Sequence, residues 1–189
     1  MKRKIIAVIG DALIDDDLVK QRLAFETGKA IIDAGYRLQC GGLAGVMRAA
    51  CMGAHASANY KDGDTIGLLP SFDISLANEY VDIAIPTGLD MYRNTIVANA
   101  SAVVAIGGGA GTLSEIANAW TLKRLILAYS NCCGASSKYA GCRVDARIRY
   151  PQIPEDKVYP VETADEVISF LAKYIDHYTV YHTGITPLN

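Results

Sequence analysis

The chain alternates two patterns almost without interruption: a short apolar run, often ending at or near glycine, then a stretch with apolar residues at helical spacing. Such runs fall at 4–10, 36–42, 64–70, 81–88, 102–106 and 124–130, and "KVYPVE" adds a last edge strand. A strand that is apolar throughout must be covered on both faces. Strands of this kind alternating with helices make a parallel sheet enclosed by helices. The expected fold class is therefore α/β, a doubly wound, mainly parallel sheet of six or seven strands. No repeat or linker divides 1–189, so a single domain is expected.

The intervening segments carry helix signals. "DDLVKQRLAFETGKAIIDAG" places Leu18, Leu23, Phe25, Ala30 and Ile31 at roughly helical spacing and closes on Gly35. "AGVMRAACMGAHA" is built of small residues and can pack tightly on a sheet. "DMYRNTIVANA" and 112–122 read as further helices. "TADEVISFLAKYIDHY" turns Val167, Phe170, Leu171, Tyr174 and Ile175 inward, behind a Thr163–Glu166 capping box. The stretch 131–154 lacks periodicity and reads as a loop or lid. Residues 183–189 read as a tail or dimer arm.

Charge and cysteine content exclude several functions. The net charge is −2 and the basic residues are scattered, so no nucleic-acid-binding face is expected. The apolar run after the first basic residues ends at Gly10, too short for a signal peptide, and no run approaches a membrane span. Five cysteines without metal-ligand spacing fit a reduced, cytoplasmic protein. The adjacent Cys132 and Cys133 read as ordinary thiols or as a redox sensor. His55, His177 and His182 are separated, so no metal site and no required cofactor are expected.

The glycines mark a site. Gly10, Gly41, Gly42, Gly88 and Gly107 to Gly109 all fall where strands end, which in a doubly wound sheet is the ligand-binding edge. With a strand order of 3-2-1-4-5-6, strands one and four would flank the crevice. Gly10, Asp11, Gly41, Gly42, Gly45, Thr87, Gly88, Gly107, Gly108, Gly109, Ala110, Gly111 and Thr112 would then converge on one pocket. Absent side chains let backbone N–H groups approach a ligand, and a helix N-terminus favours a phosphate or other oxyanion. The dipole alone is worth only about 0.3–2 kcal/mol, so several N–H bonds must carry the binding. "GDALID" lacks the dinucleotide fingerprint and "GGGAGT" lacks the P-loop lysine, which disfavours NAD and P-loop ATP binding. Thr112 and Glu115 fit a helix capping box and a catalytic role equally well.

"GGGAGTLSE" resembles the PGGxGTxxE motif of the LOG family, once labelled lysine decarboxylases, and "CGGLAGVM" resembles that family's earlier glycine turn. "IGLLP", "TGLDMYRN" and "VVAIGGGAGTLSE" together resemble more closely a sister branch that includes the molybdenum cofactor carrier proteins. The resemblance implies a Rossmann-like fold, a homodimer or higher oligomer, and a phosphate-bearing small molecule as partner: a nucleotide, phosphate or molybdenum cofactor. In LOG enzymes an arginine and the motif glutamate serve hydrolysis of the N-glycosidic bond of a nucleoside 5′-monophosphate; the matching residues here are Arg93 and Glu115. Under the carrier alternative the pocket holds an anionic pterin uncleaved, with Lys138, Arg143, Arg147 and Arg149 closing over it. Two positions depart from the pattern. Gly107 stands where the motif has proline, and Asp11 where LOG-type chains carry a small hydroxyl residue. An acid at position 11 would repel a phosphate or bind a ribose hydroxyl.

Overall fold

A computed structural model describes residues 2–180. Seven strands form one sheet: β1 (Ile5–Gly10), β2 (Arg37–Cys40), β3 (Thr65–Leu69), β4 (Ile83–Pro86), β5 (Ala102–Ile106), β6 (Leu125–Tyr129) and β7 (Tyr159–Val161). Their order is β4-β3-β2-β1-β5-β6-β7, and every pairing is parallel. The helices are α1 (Leu18–Asp33), α2 (Val46–His55), α3 (Asn94–Ala98), α4 (Ala110–Thr121), α5 (Ala135–Tyr139) and α6 (Ala164–Tyr174). The α/β, doubly wound class expected from the sequence is the fold observed.

The strand order corrects one expectation. The fourth strand does not lie beside the first. β4 pairs with β3 at the sheet edge, Ile66 opposite Ile83, and β5 takes the place beside β1, with Gly10 opposite Ile106. Burial gives the physical reason. All five β5 residues are buried, as a central strand requires, whereas Ile83, Ile85 and Pro86 of β4 are exposed. Proline is also tolerated at an edge, where no ladder hydrogen bond is lost.

Strand periodicity of two divides the core. Ile6 and Val8 of β1 face α1, α2 and α6, while Ala7 and Ile9 face α3, α4 and α5. On the first side, α1 and α2 pack at glycine contacts. A Cβ on Gly28 would lie 1.9 Å from the Ala50 carbonyl oxygen, and one on Gly53 would lie 1.9 Å from that of Phe25. The small residues of α2 therefore serve mainly its approach to α1. The buried stripe of α1 comprises Leu23, Ala24, Thr27, Gly28, Ile31 and Ile32; Leu18, expected to be apolar-facing, is exposed, and Phe25 and Ala30 are only half-buried. The capping box of α6 forms in part, because Glu166 reaches the amide before the cap residue rather than that of Thr163. Thr163 accepts a hydrogen bond from the Glu166 N–H at 3.2 Å, and the Glu166 carboxylate accepts one from the Glu162 N–H at 2.6 Å.

The stretch 131–154 contains α5 and packs behind the glycine turn after β5. The Ala135 and Ser136 N–H groups donate to the Gly108 and Gly107 carbonyls at 2.6 and 2.9 Å, and Ser136 Oγ accepts from the Gly107 N–H at 2.8 Å. The proposed tail at 183–189 and His182 lie outside the described residues.

Candidate functional site

The sheet changes direction between β1 and β5, and the helices that follow these strands, α1 and α4, lie on opposite faces. A crevice at such a switch point is the usual ligand site of an open α/β sheet. Here a cavity of about 250 Å³ opens at the carboxyl ends of β1, β2 and β5. Of the residues expected from the sequence, Gly10, Asp11, Gly41, Arg93, Gly109, Gly111, Thr112 and Glu115 line it. Gly42, Gly45, Gly107, Gly108 and Ala110 shape the adjoining turns without lining the cavity. Thr87 and Gly88 do not line it either, because β4 ends at the far edge of the sheet. There the Thr87 hydroxyl donates to the Leu69 carbonyl at 2.7 Å, and Gly88 sits against the Phe72 ring. Sequence reasoning missed Ile9, Ala12, Leu43, Met47 and Asn94. Asn94 directly follows Arg93 and gave the one available signal.

Each wall has a local cause. Gly41 leaves room for its neighbours: a Cβ there would lie 2.8 Å from both Arg93 Nη1 and Met47 Sδ. The guanidinium therefore lies across the β2 turn. A 3₁₀ helix (Asp90–Arg93) runs directly into α3 and buries Arg93 at their junction, 8% exposed. The stretch 90–98 is thus two short helices rather than one. Asn94 Nδ2 donates to Ser114 Oγ at 2.8 Å and ties α3 to the first turns of α4.

The N-terminus of α4 settles the role of the Thr-x-x-Glu pattern. The helix starts at Ala110 with Gly109 as its cap, and no side chain caps it. Thr112 and Glu115 therefore lie inside the helix and are no capping box. Both are buried, and Glu115 points into the cavity at 8% exposure. The first N–H groups of a helix have no intrahelical partner, and no side chain takes them here.

Glu115 and Arg93 form no hydrogen bond or ion pair with each other within 4.0 Å, although both line the same cavity. Burial pushes the Glu115 carboxyl up to about 7, against the opposing pull of the Arg93 charge. Burial likewise lowers the Arg93 pKa from its ordinary value, and Glu115 opposes that shift. Arg93 Nε is buried without a hydrogen-bond partner. An acid poised at neutral pH, facing a cation with an unused donor, is an arrangement found where chemistry or tight anion binding occurs.

The loop cations do not form a lid. Arg149 is 5% exposed; it pairs with Asp156 at 2.5 Å and stacks 3.7 Å from the Trp120 ring. Its charge is spent on anchoring the loop to α4. Arg147 pairs with Asp145, and Arg143 donates to the Arg147 carbonyl. None of Lys138, Arg143, Arg147 and Arg149 lines the cavity. Asp11 does line it, but its Oδ2 accepts the Gly108 N–H at 2.8 Å and pairs with Lys20 Nζ at 2.8 Å. His55 stacks on Tyr60, with Nε2 3.2 Å from Asp82. Among the described residues no group of three or more His, Cys, Asp or Glu is placed to hold a metal, and no helix is long and apolar enough to cross a membrane.

Fold and site together define a LOG-like α/β protein, and residues 3–158 match the model of the SLOG cluster4 family. The chain belongs to that family. Among solved structures it is similar to the molybdenum cofactor binding protein of Rippkaea orientalis, with a TM-score of 0.75 and 28% identity over 93% of this chain and 99% of that one. The molybdenum cofactor carrier protein of Chlamydomonas reinhardtii matches at a TM-score of 0.72 and 28% identity, again over 93% and 99%. In sequence, a cytokinin riboside 5′-monophosphate phosphoribohydrolase of Mycobacterium tuberculosis is 37% identical over 103 residues, 52% of this chain and 53% of that enzyme. An uncharacterised protein of Archaeoglobus fulgidus is 39% identical over 118 residues, 62% of this chain and 74% of that protein.

Proposed function

We propose that the cavity binds a phosphate-bearing small molecule of nucleotide type and that Glu115 hydrolyses its N-glycosidic bond. The observation that carries this reading is the buried Glu115, raised to about 7, sharing one cavity with Arg93 and the uncapped start of α4. The amides of Gly109 to Thr112 hold the 5′-phosphate. Glu115, as carboxylate, takes a proton from water as the C1′–N bond breaks, or stabilises the oxocarbenium-like ribose. The water oxygen bonds to C1′, and the base leaves with the proton released from that water, which restores the Glu115 carboxylate. Arg93 orients the phosphate or the carboxylate. The likeness to the mycobacterial phosphoribohydrolase supports this reading.

A second reading has its own support: the likeness to molybdenum cofactor proteins runs along 93% of this chain, whereas the match to the hydrolase covers 52%. In that reading the same amides and Arg93 hold an anionic pterin, which is cargo and is not cleaved. Incubation with adenosine 5′-monophosphate separates the two. Adenine release that falls at least about 100-fold in Glu115→Gln supports the hydrolase. Saturable binding of a phosphorylated pterin with no adenine release supports the carrier.

The protein is also proposed to act as a homodimer or higher oligomer. The exposed apolar side chains Phe72, Ile83, Ile85, Met91 and Tyr92, on β4 and the segments beside it in the chain, support this reading.

A further inference from the structure

We propose that Asp11 is a specificity-determining residue: its carboxylate occupies the Gly108 amide of the glycine turn and limits the cavity to ligands with a single phosphate group. This rests on the nucleotide-type reading above and deepens it.

The turn after β5 offers a row of backbone N–H groups, but two are already taken. Ser136 Oγ accepts from the Gly107 N–H at 2.8 Å, and Asp11 Oδ2 accepts from the Gly108 N–H at 2.8 Å. Only the amides from Gly109 onward remain for an incoming anion, together with the buried, unpartnered Nε of Arg93. Asp11 is held in place on both sides. Its carbonyl oxygen accepts the Val46 N–H at 2.9 Å, and Lys20 Nζ lies 2.8 Å from its carboxylate. Hydrogen bonding to Asp11 raises the Lys20 pKa, so this cation stays charged and committed.

The two departures from the family pattern, at Gly107 and at Asp11, are one feature. A Cβ on Gly107 would lie 2.4 Å from Asp11 Oδ2 and 2.6 Å from Lys20 Cε. Gly107 also has a φ of +63°, which proline cannot adopt. The glycine at 107 therefore makes room for the acid at 11 and its lysine. An aspartate in a phosphate site looks like a defect, yet here it acts as an internal anion. One phosphate fits on the free amides beside it. A second phosphate would have to displace Asp11 from the Gly108 N–H, which breaks that hydrogen bond and disturbs the ion pair with Lys20.

The test is calorimetric titration of the intact chain with adenosine 5′-monophosphate and adenosine 5′-diphosphate. Wild type is expected to bind the monophosphate at least about tenfold more tightly. Asp11→Asn keeps an acceptor for the Gly108 N–H and removes the charge; it should narrow the gap at least about threefold by tightening the diphosphate. Asp17→Asn changes net charge equally beside the same lysine, 3.4 Å away, outside the cavity lining. It should leave the ratio unchanged. No preference in wild type, an unchanged ratio in Asp11→Asn, or an equal effect from Asp17→Asn would overturn the role of Asp11 while leaving the nucleotide reading intact. Failure of wild type to bind either nucleotide would overturn that reading and this one with it.

Discussion

At the scale of the residue, Glu115 carries the most consequence. As a general base it must be ionised, so kcat/KM for adenosine 5′-monophosphate should rise from pH 6 to 8 with an apparent pKa of about 7. A rate that falls over this range would assign Glu115 the opposite proton role. Stability should move the other way. The folded pKa lies above the ordinary 4.5, so the contribution of Glu115 is fully present below pH 4.5 and is lost as pH rises through about 7. Glu115→Gln does not titrate, and its Tm should therefore gain a few degrees on wild type between pH 5 and pH 8. Parallel Tm profiles would show that the carboxyl is not held at that pKa. The motif made Glu115 legible as a candidate, but it could not separate a cap from a buried acid. That depended on where α4 starts, and the glycines of "GGGAG" obscure the start because their helix propensity is poor. Arg149 was misread for a different reason. Its partners Asp156 and Trp120 are brought to it by folding, and an unpaired loop arginine looks the same in sequence.

At the scale of the element, the glycines divide into those that admit a neighbour and those that leave space. Gly28 belongs to the first kind, since a Cβ there collides with the backbone of α2. Gly28→Ala should cost about 1–3 kcal/mol through overpacking, read as a lower urea midpoint with unchanged slope. Gly111 belongs to the second kind, with nothing within 4 Å of a Cβ, and Gly111→Ala should be neutral or gain up to about 1 kcal/mol from helix propensity. Equal effects at the two positions would contradict the close α1–α2 contact. The alternation of apolar runs and helical spacing was enough to read the strands and most helices. The position of β4 was not legible. "VDIAIP" looks locally like the other strands, and its place at the edge is set by pairing with β3 across the fold.

At the scale of the whole molecule, the winding of the sheet assembles the site. Because β5 rather than β4 lies beside β1, the turns after β1, β2 and β5 share one rim, with Arg93 delivered from the segment that crosses between β4 and β5. The exposed apolar surface around β4 is the face proposed for a second copy. Light scattering after size exclusion should report a dimer or larger species, and Ile85→Asp with Tyr92→Asp should dissociate it; a wild-type monomer at micromolar concentration would contradict the oligomer. The central claim is that side-chain-free turns present main-chain hydrogens to an anion at that rim. Its most direct test is amide chemical-shift mapping during titration with adenosine 5′-monophosphate. The amides of Gly109, Ala110, Gly111 and Thr112 should show the largest saturable shifts. Shifts confined to other surfaces, with these four amides unmoved at saturation, would contradict it.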